Sequence, residues 1–411
     1  MKVEVTEGDE ILGVRPRAAY APATLADCAE VMALAARERL RLGFIGGGTA
    51  LGLGAAPAGL DAVVRTGRLA RIIEYAPADM IVVAEAGVTL AALQAEVGAH
   101  GQRLALDAPE PERATLGGLI ATGAFGPLRA RHGAVRDLII GVTLVRADGE
   151  VARGGGKVVK NVAGFDLPKV ACGALGTLGL VAAAAFRLHP RPEVTVTVAI
   201  PGLGAGAVVA LVAAARAAQL EPAAVVALGA LDAGDRFDLG VRFEGFGRGV
   251  AHQVARMIEL AGAAGATPAP LDDDAAAAWW RRHDAVRTAG PLRVRVAALP
   301  TQLPAVAARL AGLGELAWYA TLGQGFAGGA PGGAPGGAAD DLAAATARVT
   351  AARAALVAEG GSLVVEAAPP ALRAAIDPWG PVPGSFAIME RLKQRFDPER
   401  RLNPGRFVGG L

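Results

Sequence analysis

The chain has 411 residues, which is enough for two or three domains of ordinary size. Its 41 Lys and Arg against 39 Asp and Glu leave a formal charge of +2, so electrostatics gives no case for nucleic acid or an anionic membrane surface as the main partner. Two cysteines, Cys28 and Cys172, exclude a disulfide framework, a four-thiolate zinc site and an iron–sulfur cluster.

No stretch of the sequence predicts a membrane span. The first ten residues, MKVEVTEGDE, are acidic and lack the apolar region of a secretory signal. Three uncharged stretches are long enough to raise the question, but glycine or proline interrupts each of them: residues 170–186, 194–215 and 316–339. We therefore expect a cytoplasmic protein without a transmembrane segment, which reaches the inner face of a membrane, if at all, through partner subunits.

Helix and strand signals alternate through the first hundred residues. The pair Thr24 and Asp27 predicts the capped start of a helix that extends toward Leu42, and the apolar face of this helix places Cys28 in the core. The predicted elements that follow are a strand over 43–45, a glycine-rich loop over 46–54, strands over 61–66 and 80–86, and a helix after Thr89 whose inward residues are Leu90, Leu93 and Val97.

Glycine punctuates the next hundred residues. We expect residues 101–128 to form a loop. Residues 138–147 and 150–153 flank Asp148-Gly149, a pair typical of a tight turn, and so predict a β-hairpin. A second glycine-rich segment, 153–179, leads into a strand over 180–188. The following His-Pro-Arg-Pro, 189–192, marks a domain boundary, because paired prolines stop both helix and sheet.

Beyond residue 192 the pattern is α+β. Strands are predicted over 194–200, 223–228, 239–243 and 293–298, and alanine-rich helices over 207–219, 249–262 and 303–313. The sequence GQGFAGGAPGGAPGG, residues 323–337, predicts a flexible loop. A basic amphipathic helix over 386–396 leads into DPERRLNPGRF. We divide the chain into residues 1–190, 191–384 and 385–411.

Two common functional patterns fail in this sequence. The glycine loop at 46–54 lacks the spacing of a dinucleotide fingerprint; residues 202–207 have that spacing, but Pro201 interrupts the strand that should precede them. The five histidines, at 100, 132, 189, 252 and 283, contain no pair at metal-ligand spacing. We therefore predict neither a Rossmann fold nor a dedicated metal site.

Four clusters of glycine in the first half of the chain carry the strongest functional signal: 46–50, 117–123, 154–156 and 173–179. A run of glycines after a strand lets successive backbone N–H groups converge on a phosphate, since no Cβ holds the anion away. One such loop is weak evidence, because turns account for most glycines. Several in one region point to a long ligand that lies against bare backbone.

The stretch from Thr115 to Gly179, with GPLRARHGAVRDLIIGV and GGKVVKNVAGFDLPK inside it, resembles the FAD-binding domain of the vanillyl-alcohol-oxidase, or PCMH-type, flavoprotein superfamily. Together with RFDPERRLNPGRF at the end, these motifs are similar to the FAD-binding E subunits of bacterial glycolate oxidases. The resemblance implies an α+β fold: an FAD domain of two α/β subdomains, then an α+β cap domain, with the C-terminal segment returning to the FAD domain.

The resemblance also implies FAD contacts in five places. Backbone amides of the first loop would hold the pyrophosphate, and the other segments would contact the cofactor or pass beside it. The implied residues are Gly46, Gly47, Gly48, Thr49 and Ala50; Gly117, Gly118, Ala121, Thr122 and Gly123; Asn161, in the motif N-x-x-G-F-D-L; Gly176, Thr177, Gly179 and Val181; and Asn403. For Asn403, and for Asp166 in that motif, turn or cap chemistry is an equally good explanation. The first two loops contain no His or Cys, so we expect non-covalent FAD.

The function implied by the resemblance is that of an FAD-binding subunit of a glycolate oxidase complex, which oxidises glycolate, a small 2-hydroxy acid, to glyoxylate. No histidine follows His283 to serve as a base, and two cysteines cannot hold a cluster, so the implied partners are a homologous catalytic flavoprotein subunit and an iron–sulfur subunit. Two alternatives stay open: a self-sufficient FAD-dependent D-2-hydroxy-acid dehydrogenase, and a non-reacting subunit that retains the fold. The sequence assigns no catalytic residue.

Overall fold

The computed structural model describes residues 1–157, 164–231, 236–329 and 339–411, with side chains from residue 342 onward in the last range. Contacts divide the chain into two compact units. Unit 1 comprises residues 1–126, 132–191 and 381–411, and unit 2 comprises residues 127–131 and 192–380. The C-terminal segment therefore packs with the N-terminal region.

Helices and strands alternate in both units. The helices are α1 (Leu25–Arg37), α2 (Leu90–Gly98), α3 (Leu116–Thr122), α4 (Arg129–His132), α5 (Val135–Leu138), α6 (Leu167–Ala171), α7 (Ala205–Ala217), α8 (Gly247–Ala263), α9 (Asp273–Thr288), α10 (Leu303–Arg309), α11 (Ala339–Ala358), α12 (Pro370–Ala375) and α13 (Phe386–Phe396). Over the residues described, none of these helices has the length and apolar character needed to cross a bilayer.

The strands are β1 (Lys2–Val3), β2 (Ala18–Tyr20), β3 (Leu42–Ile45), β4 (Ala62–Arg65), β5 (Ile72–Ala76), β6 (Ile81–Glu85), β7 (Gln102–Arg103), β8 (Ile139–Val145), β9 (Val151–Gly155), β10 (Leu180–Arg187), β11 (His189–Pro190), β12 (Val194–Leu203), β13 (Ala224–Ala230), β14 (Phe237–Gly245), β15 (Ala269–Pro270), β16 (Arg293–Ala297), β17 (Glu315–Tyr319), β18 (Gln324–Gly328) and β19 (Ser362–Ala367). They confirm the predicted hairpin, since β8 and β9 pair antiparallel around the turn at 148–149.

Two sheets form the frame of unit 1. In the first, β2, β4 and β3 are parallel and β1 pairs antiparallel with β2 at the edge. In the second, five antiparallel strands lie in the order β5-β6-β10-β8-β9. The predicted cap of α1 is confirmed: the Thr24 hydroxyl accepts from the Asp27 N–H, and the Asp27 carboxylate accepts from the Thr24 N–H. Cys28 is fully buried on the inner face of α1, and burial raises its thiol pKa to about 12.

The expectation that residues 101–128 form a loop is wrong, because β7 and α3 lie within them. Thr115 caps α3, where its hydroxyl accepts from the Gly118 N–H. Gly117 lies against Ala86, and a Cβ on it would come within 2.9 Å of the Ala86 Cβ. Gly117, one of the glycines that suggested a loop, is therefore required by close packing of a helix.

The core of unit 2 lies on one face of an eight-stranded antiparallel sheet, in the order β15-β12-β14-β13-β17-β18-β16-β19. Apolar residues of α7, α8, α10 and α11 pack there against side chains such as Val241, Val296 and Trp318. On the other face lies α9, whose Trp280 donates from Nε1 to the Thr197 hydroxyl. This arrangement confirms the α+β pattern expected beyond residue 192.

Part of the predicted flexible loop over 323–337 is also wrong. Residues 324–328 form β18, paired with β16 and β17. Gly325 fits this strand because the Trp318 ring covers it, and a Cβ there would come 2.8 Å from a ring carbon. From residue 330, the remainder of that prediction lies outside the described residues.

His283 predicts a pH dependence of the stability of unit 2. Its ring is buried, with Nε2 2.9 Å from the Tyr319 hydroxyl and Nδ1 3.0 Å from an Asp284 carboxylate oxygen. Burial, only partly opposed by Asp284, lowers the pKa of His283 from 6.5 to about 4. The unfolded chain therefore takes up a proton at a higher pH than the folded chain does. We expect this contribution to be fully present above pH 6.5 and to fall by about 3 kcal/mol as the pH drops to 4.

Urea unfolding of the parent chain and His283→Gln, across this pH range, checks that expectation. Carboxylates also titrate at low pH, so the informative quantity is the difference between the two chains at each pH. The variant should lose less stability on acidification because it has no imidazole to protonate. Equal losses in both chains would show that His283 does not control the profile.

Candidate functional site

The loop from Gly46 to Ala50 follows β3 and exposes a row of backbone donors. Within the described part of the chain, none of these five N–H groups donates a hydrogen bond to another protein group. Gly48 has φ +75°, a left-handed conformation that turns the backbone back on itself. Successive unpaired amides in such a turn form a concave site for an anion. The loop therefore fits a phosphate or pyrophosphate group.

This loop packs directly on the segment that precedes α3. A Cβ on Gly46 would overlap the Thr115 hydroxyl, and a Cβ on Gly47 would overlap the carbonyl oxygen of Arg113. The Arg113 guanidinium in turn donates to the Gly47 carbonyl oxygen at 3.3 Å. Gly46 and Gly47 thus contact the residues that precede α3. Arg113, which sequence reasoning missed, is exposed beside the unpaired amides and is also paired with Glu110, its Nη1 lying 2.6 Å from a carboxylate oxygen.

The predicted residues on α3 have polar groups that already bond within the protein. The Gly117 N–H donates to the Ala86 carbonyl oxygen at 2.8 Å, and the Thr122 hydroxyl donates to the Gly118 carbonyl oxygen at 2.8 Å. Gly123 ends the helix with φ +62°. The small residues of this segment therefore let the backbone of α3 pack closely against neighbouring backbone.

Residues 173–179 contact both the end of α3 and the strand β3. The N–H groups of Gly173 and Leu175 donate to the carbonyl oxygens of Ile120 and Ala121, at 2.8 and 2.7 Å. Gly176 has φ +70°, and a Cβ on it would come 2.8 Å from the Phe44 ring of β3. This segment thus lies against β3, which precedes the first loop, and against α3, which contains the second predicted segment.

The other predicted residues of this segment face protein. Thr177 is buried, and its hydroxyl donates to the Ala174 carbonyl oxygen at 2.7 Å. A Cβ on Gly179 would come within 2.8 Å of the Val145 carbonyl oxygen. Val181 packs in the core of unit 1. Close packing of these residues against protein positions the segment.

Asn403 lies in a turn that its own hydrogen bonds hold, and its side-chain oxygen Oδ1 accepts no hydrogen bond from the described residues. Its N–H donates to the Leu42 carbonyl oxygen and its Nδ2 to the Leu175 carbonyl oxygen, both at 2.7 Å, while φ is +44°. Its Oδ1 is buried and has no hydrogen-bond donor within the described residues. A buried acceptor without a donor is destabilising. An N–H or O–H of a ligand would satisfy it.

Other residues of the C-terminal segment donate hydrogen bonds to the loop that follows β3 and to the segment 173–179. Arg406 donates to the carbonyl oxygens of Leu51 and Leu53, at 2.8 and 2.7 Å, immediately after the unpaired amides. Buried Lys393 donates from Nζ to the Thr177 carbonyl oxygen at 2.9 Å. Sequence reasoning missed both roles, although the basic run RRLNPGRF drew attention to the segment.

The motif N-x-x-G-F-D-L contributes no described contact to this site. Asn161 lies outside the described residues. Phe165 is 97% exposed. Asp166 caps α6, where it accepts from the Lys169 N–H, and the adjacent Lys169 ammonium lowers the pKa of its carboxyl group. For Asp166, the structure favours the cap explanation.

Comparison with known proteins identifies the same region. Residues 16–155 match a family model described as an FAD binding domain. Over 127 residues the chain is 35% identical to glycolate oxidase subunit GlcE of Escherichia coli (strain K12). The aligned region covers 31% of this chain and 36% of that subunit. Over 193 residues it is 32% identical to D-lactate dehydrogenase of Archaeoglobus fulgidus, covering 46% and 43%.

A solved structure of alkyldihydroxyacetonephosphate synthase shares the fold, with a TM-score of 0.70 at 15% identity over 96% of this chain and 78% of that one. The expected fold class is thereby confirmed. The matched region spans less than half the length of the two curated relatives. The matched domain contains the loop at 46–50 and α3, whereas Asn403 lies beyond it.

Proposed function

We propose that this chain, which carries an FAD-binding domain of the PCMH type over residues 16–155, is the FAD-binding subunit of a complex that oxidises a small 2-hydroxy acid. The observation that carries the proposal is the row of five unpaired amides from Gly46 to Ala50. They follow β3, and the Leu42 carbonyl oxygen of this strand accepts a hydrogen bond from the Asn403 N–H. A dinucleotide cofactor needs both an anion site and acceptors for its N–H and O–H groups.

Each part of the site has a proposed role in holding FAD. The amides at 46–50 bind the pyrophosphate, with the Arg113 guanidinium beside them, and Asn403 Oδ1 accepts from an N–H or O–H of the cofactor. FAD, when bound, accepts the hydride released from the carbon that carries the substrate hydroxyl. The protein residues orient the cofactor and replace its hydration shell with fixed donors.

Non-covalent binding is supported by the state of the cysteine thiols. Burial raises the pKa of Cys172 to about 12, as it does for Cys28. Both thiols are therefore protonated at neutral pH and unreactive as nucleophiles. No histidine lies within 46–50 or 115–123 to form a bond with the flavin.

The substrate class is supported by the names of the relatives. Glycolate and D-lactate are both 2-hydroxy acids, and a protein named for each of them matches part of this chain. We propose glycolate as the substrate and glyoxylate as the product, because the glycolate oxidase subunit resembles this chain both in the FAD domain and in the motifs quoted above.

Oxidation of a 2-hydroxy acid also needs a proton acceptor for the hydroxyl and a cation that orients the carboxylate. His283, the last histidine of the sequence, is buried and bonded to Tyr319 and Asp284, which makes it a core residue. We propose that a homologous flavoprotein subunit supplies the proton acceptor and that an iron–sulfur subunit collects the electrons.

The visible absorption spectrum of the purified chain tests this function. We expect a flavin spectrum that acid precipitation releases into the supernatant, and little bleaching when glycolate is added. Co-expression with the two partner subunits should restore glycolate-dependent dye reduction. A colourless, folded chain would support a non-reacting scaffold instead.

A self-sufficient D-2-hydroxy-acid dehydrogenase is the second candidate, favoured by the alignment with D-lactate dehydrogenase over 46% of this chain. Turnover by the isolated chain separates the two functions. Rates on the order of 10 per second with glycolate or D-lactate, without partners, would establish the dehydrogenase. Bleaching without turnover would indicate that electrons leave only through partners.

A further inference from the structure

A large apolar cavity lies entirely within unit 2, between α7 and the helix-covered face of the eight-stranded sheet. Its volume is about 640 Å³. Its lining combines half-buried aliphatic residues of α7 and the turn after it, such as Val209, Val212 and Leu220, with fully buried residues of the sheet, such as Leu239, Phe243 and Trp318. Cavities of this size and apolar character are typical of small-molecule sites.

The sequence of α7 explains why the space exists. Seven of its 13 residues, AGAVVALVAAARA, are alanine, so the helix presents few side chains long enough to reach the sheet. The opposite wall cannot collapse onto it, because Leu239, Phe243 and Trp318 are held in the fully buried core. Water would find few polar partners on these walls. The cavity therefore favours an apolar occupant.

The polar groups of the lining are few and include one cation. Arg216 lies in the last turn of α7 and is the only charged residue in the lining, over the part of the chain that the structure describes. It is exposed and forms no ion pair among the described residues. Thr301 and Thr321 add two hydroxyl groups. Apolar walls with a single cation match an aliphatic chain that ends in one anionic group.

We propose that this cavity binds an aliphatic monocarboxylate of about eight to twelve carbons, with the chain against the walls and the carboxylate on Arg216. No residue of its lining belongs to unit 1, which carries the loops proposed to hold FAD. Binding of the monocarboxylate and binding of FAD can therefore fail separately.

Calorimetric titration of the full chain tests the proposal with hexanoate, octanoate, decanoate and neutral 1-decanol as probes. Each added pair of methylene groups should tighten binding about tenfold, because it removes more apolar surface from water. Decanoate should bind several-fold more tightly than 1-decanol. Affinity that does not change with chain length, or no binding of decanoate at millimolar concentration, would overturn the proposal.

Three variants locate the site. Val212→Trp fills the cavity and should weaken decanoate binding at least tenfold. Arg216→Gln should abolish the preference for decanoate over 1-decanol while 1-decanol still binds. Arg248→Gln, an exposed arginine on α8 outside the lining, is the matched control and should leave both affinities unchanged. Flavin content should be the same in all three.

Three results would contradict this assignment. If Val212→Trp folds and still binds decanoate normally, the ligand lies elsewhere. If Arg216→Gln and Arg248→Gln weaken decanoate binding equally, the carboxylate has no specific partner. If the parent chain is a dimer that Val212→Trp dissociates, the cavity is an interface between two copies.

Discussion

Gly47→Val should fold and yet retain less than about a tenth of the FAD of the parent chain. A Cβ at this position would overlap the carbonyl oxygen of Arg113, so the added side chain meets protein before it meets ligand. The loop must then move away from the segment before α3, and the five amides no longer converge on one anion. The ratio of flavin to protein absorbance after gel filtration measures the loss.

Gly67→Val is the matched control for this experiment. Gly67 lies at an exposed turn of the same unit, and a Cβ on it has no neighbour within 4 Å. The same substitution there should leave the flavin content unchanged. Circular dichroism must show that both variants fold. If folded Gly47→Val binds FAD as the parent chain does, the loop at 46–50 is not the pyrophosphate site.

Local sequence signals were sufficient for elements whose ends depend on near neighbours. Thr24 and Asp27 bond to each other, so the start of α1 could be predicted from four residues. The turn at 148–149 likewise depends on two residues. The helix over 386–396 has the predicted bounds, because its apolar spacing and the following Asp-Pro are both local.

Elements that depend on distant packing could not be predicted in this way. Gly117 and Gly118 lower the intrinsic helix propensity of α3, but contact of Gly117 with Ala86, some thirty residues earlier, requires a small residue inside the helix. The strand β18 contains Gly325 for a similar reason, since the Trp318 ring covers it. In both places tertiary contacts outweigh propensity.

The same distinction between local signals and distant packing applies to the candidate site. Its anion loop could be predicted because glycines after a strand are visible in sequence. The hydrogen bonds that hold the loop in place could not be predicted, because they join residues more than two hundred positions apart. Asn403 donates to the Leu175 carbonyl oxygen, and Arg406 donates to those of Leu51 and Leu53. Arg113 was missed for another reason: its guanidinium contacts a backbone oxygen, which leaves no mark in the sequence.

Asp397→Ala should lower the free energy of unfolding of unit 1 by about 3–5 kcal/mol and release much of the FAD. Asp397 and Lys393 are both fully buried on and beside α13, with Nζ 2.7 Å from the carboxylate. The same carboxylate accepts from the Leu402 N–H at 2.8 Å. Burial already lowers the pKa of Lys393, and Asp397 is the group that opposes this effect.

Removal of the carboxylate leaves an ammonium group in the core with only the carbonyl oxygens of Thr177 and Leu402 as partners. These carbonyls belong to the segments that lead to the site, so strain at Lys393 should reach the flavin. Urea unfolding followed separately by circular dichroism and flavin fluorescence measures both effects. Glu259→Ala removes an exposed partner of Arg256 and should cost less than about 1 kcal/mol.

The double variant Lys393→Met, Asp397→Leu distinguishes charge from hydrogen bonding as the source of the loss. It removes the buried charge as well as its partner, and apolar replacements of buried ion pairs are often nearly neutral. We therefore expect it to be more stable than Asp397→Ala, although the Leu402 N–H still lacks its acceptor. If the double variant is as unstable as Asp397→Ala, the carboxylate stabilises unit 1 through Leu402. If Asp397→Ala costs no more than Glu259→Ala, the buried pair does not hold the C-terminal segment in place.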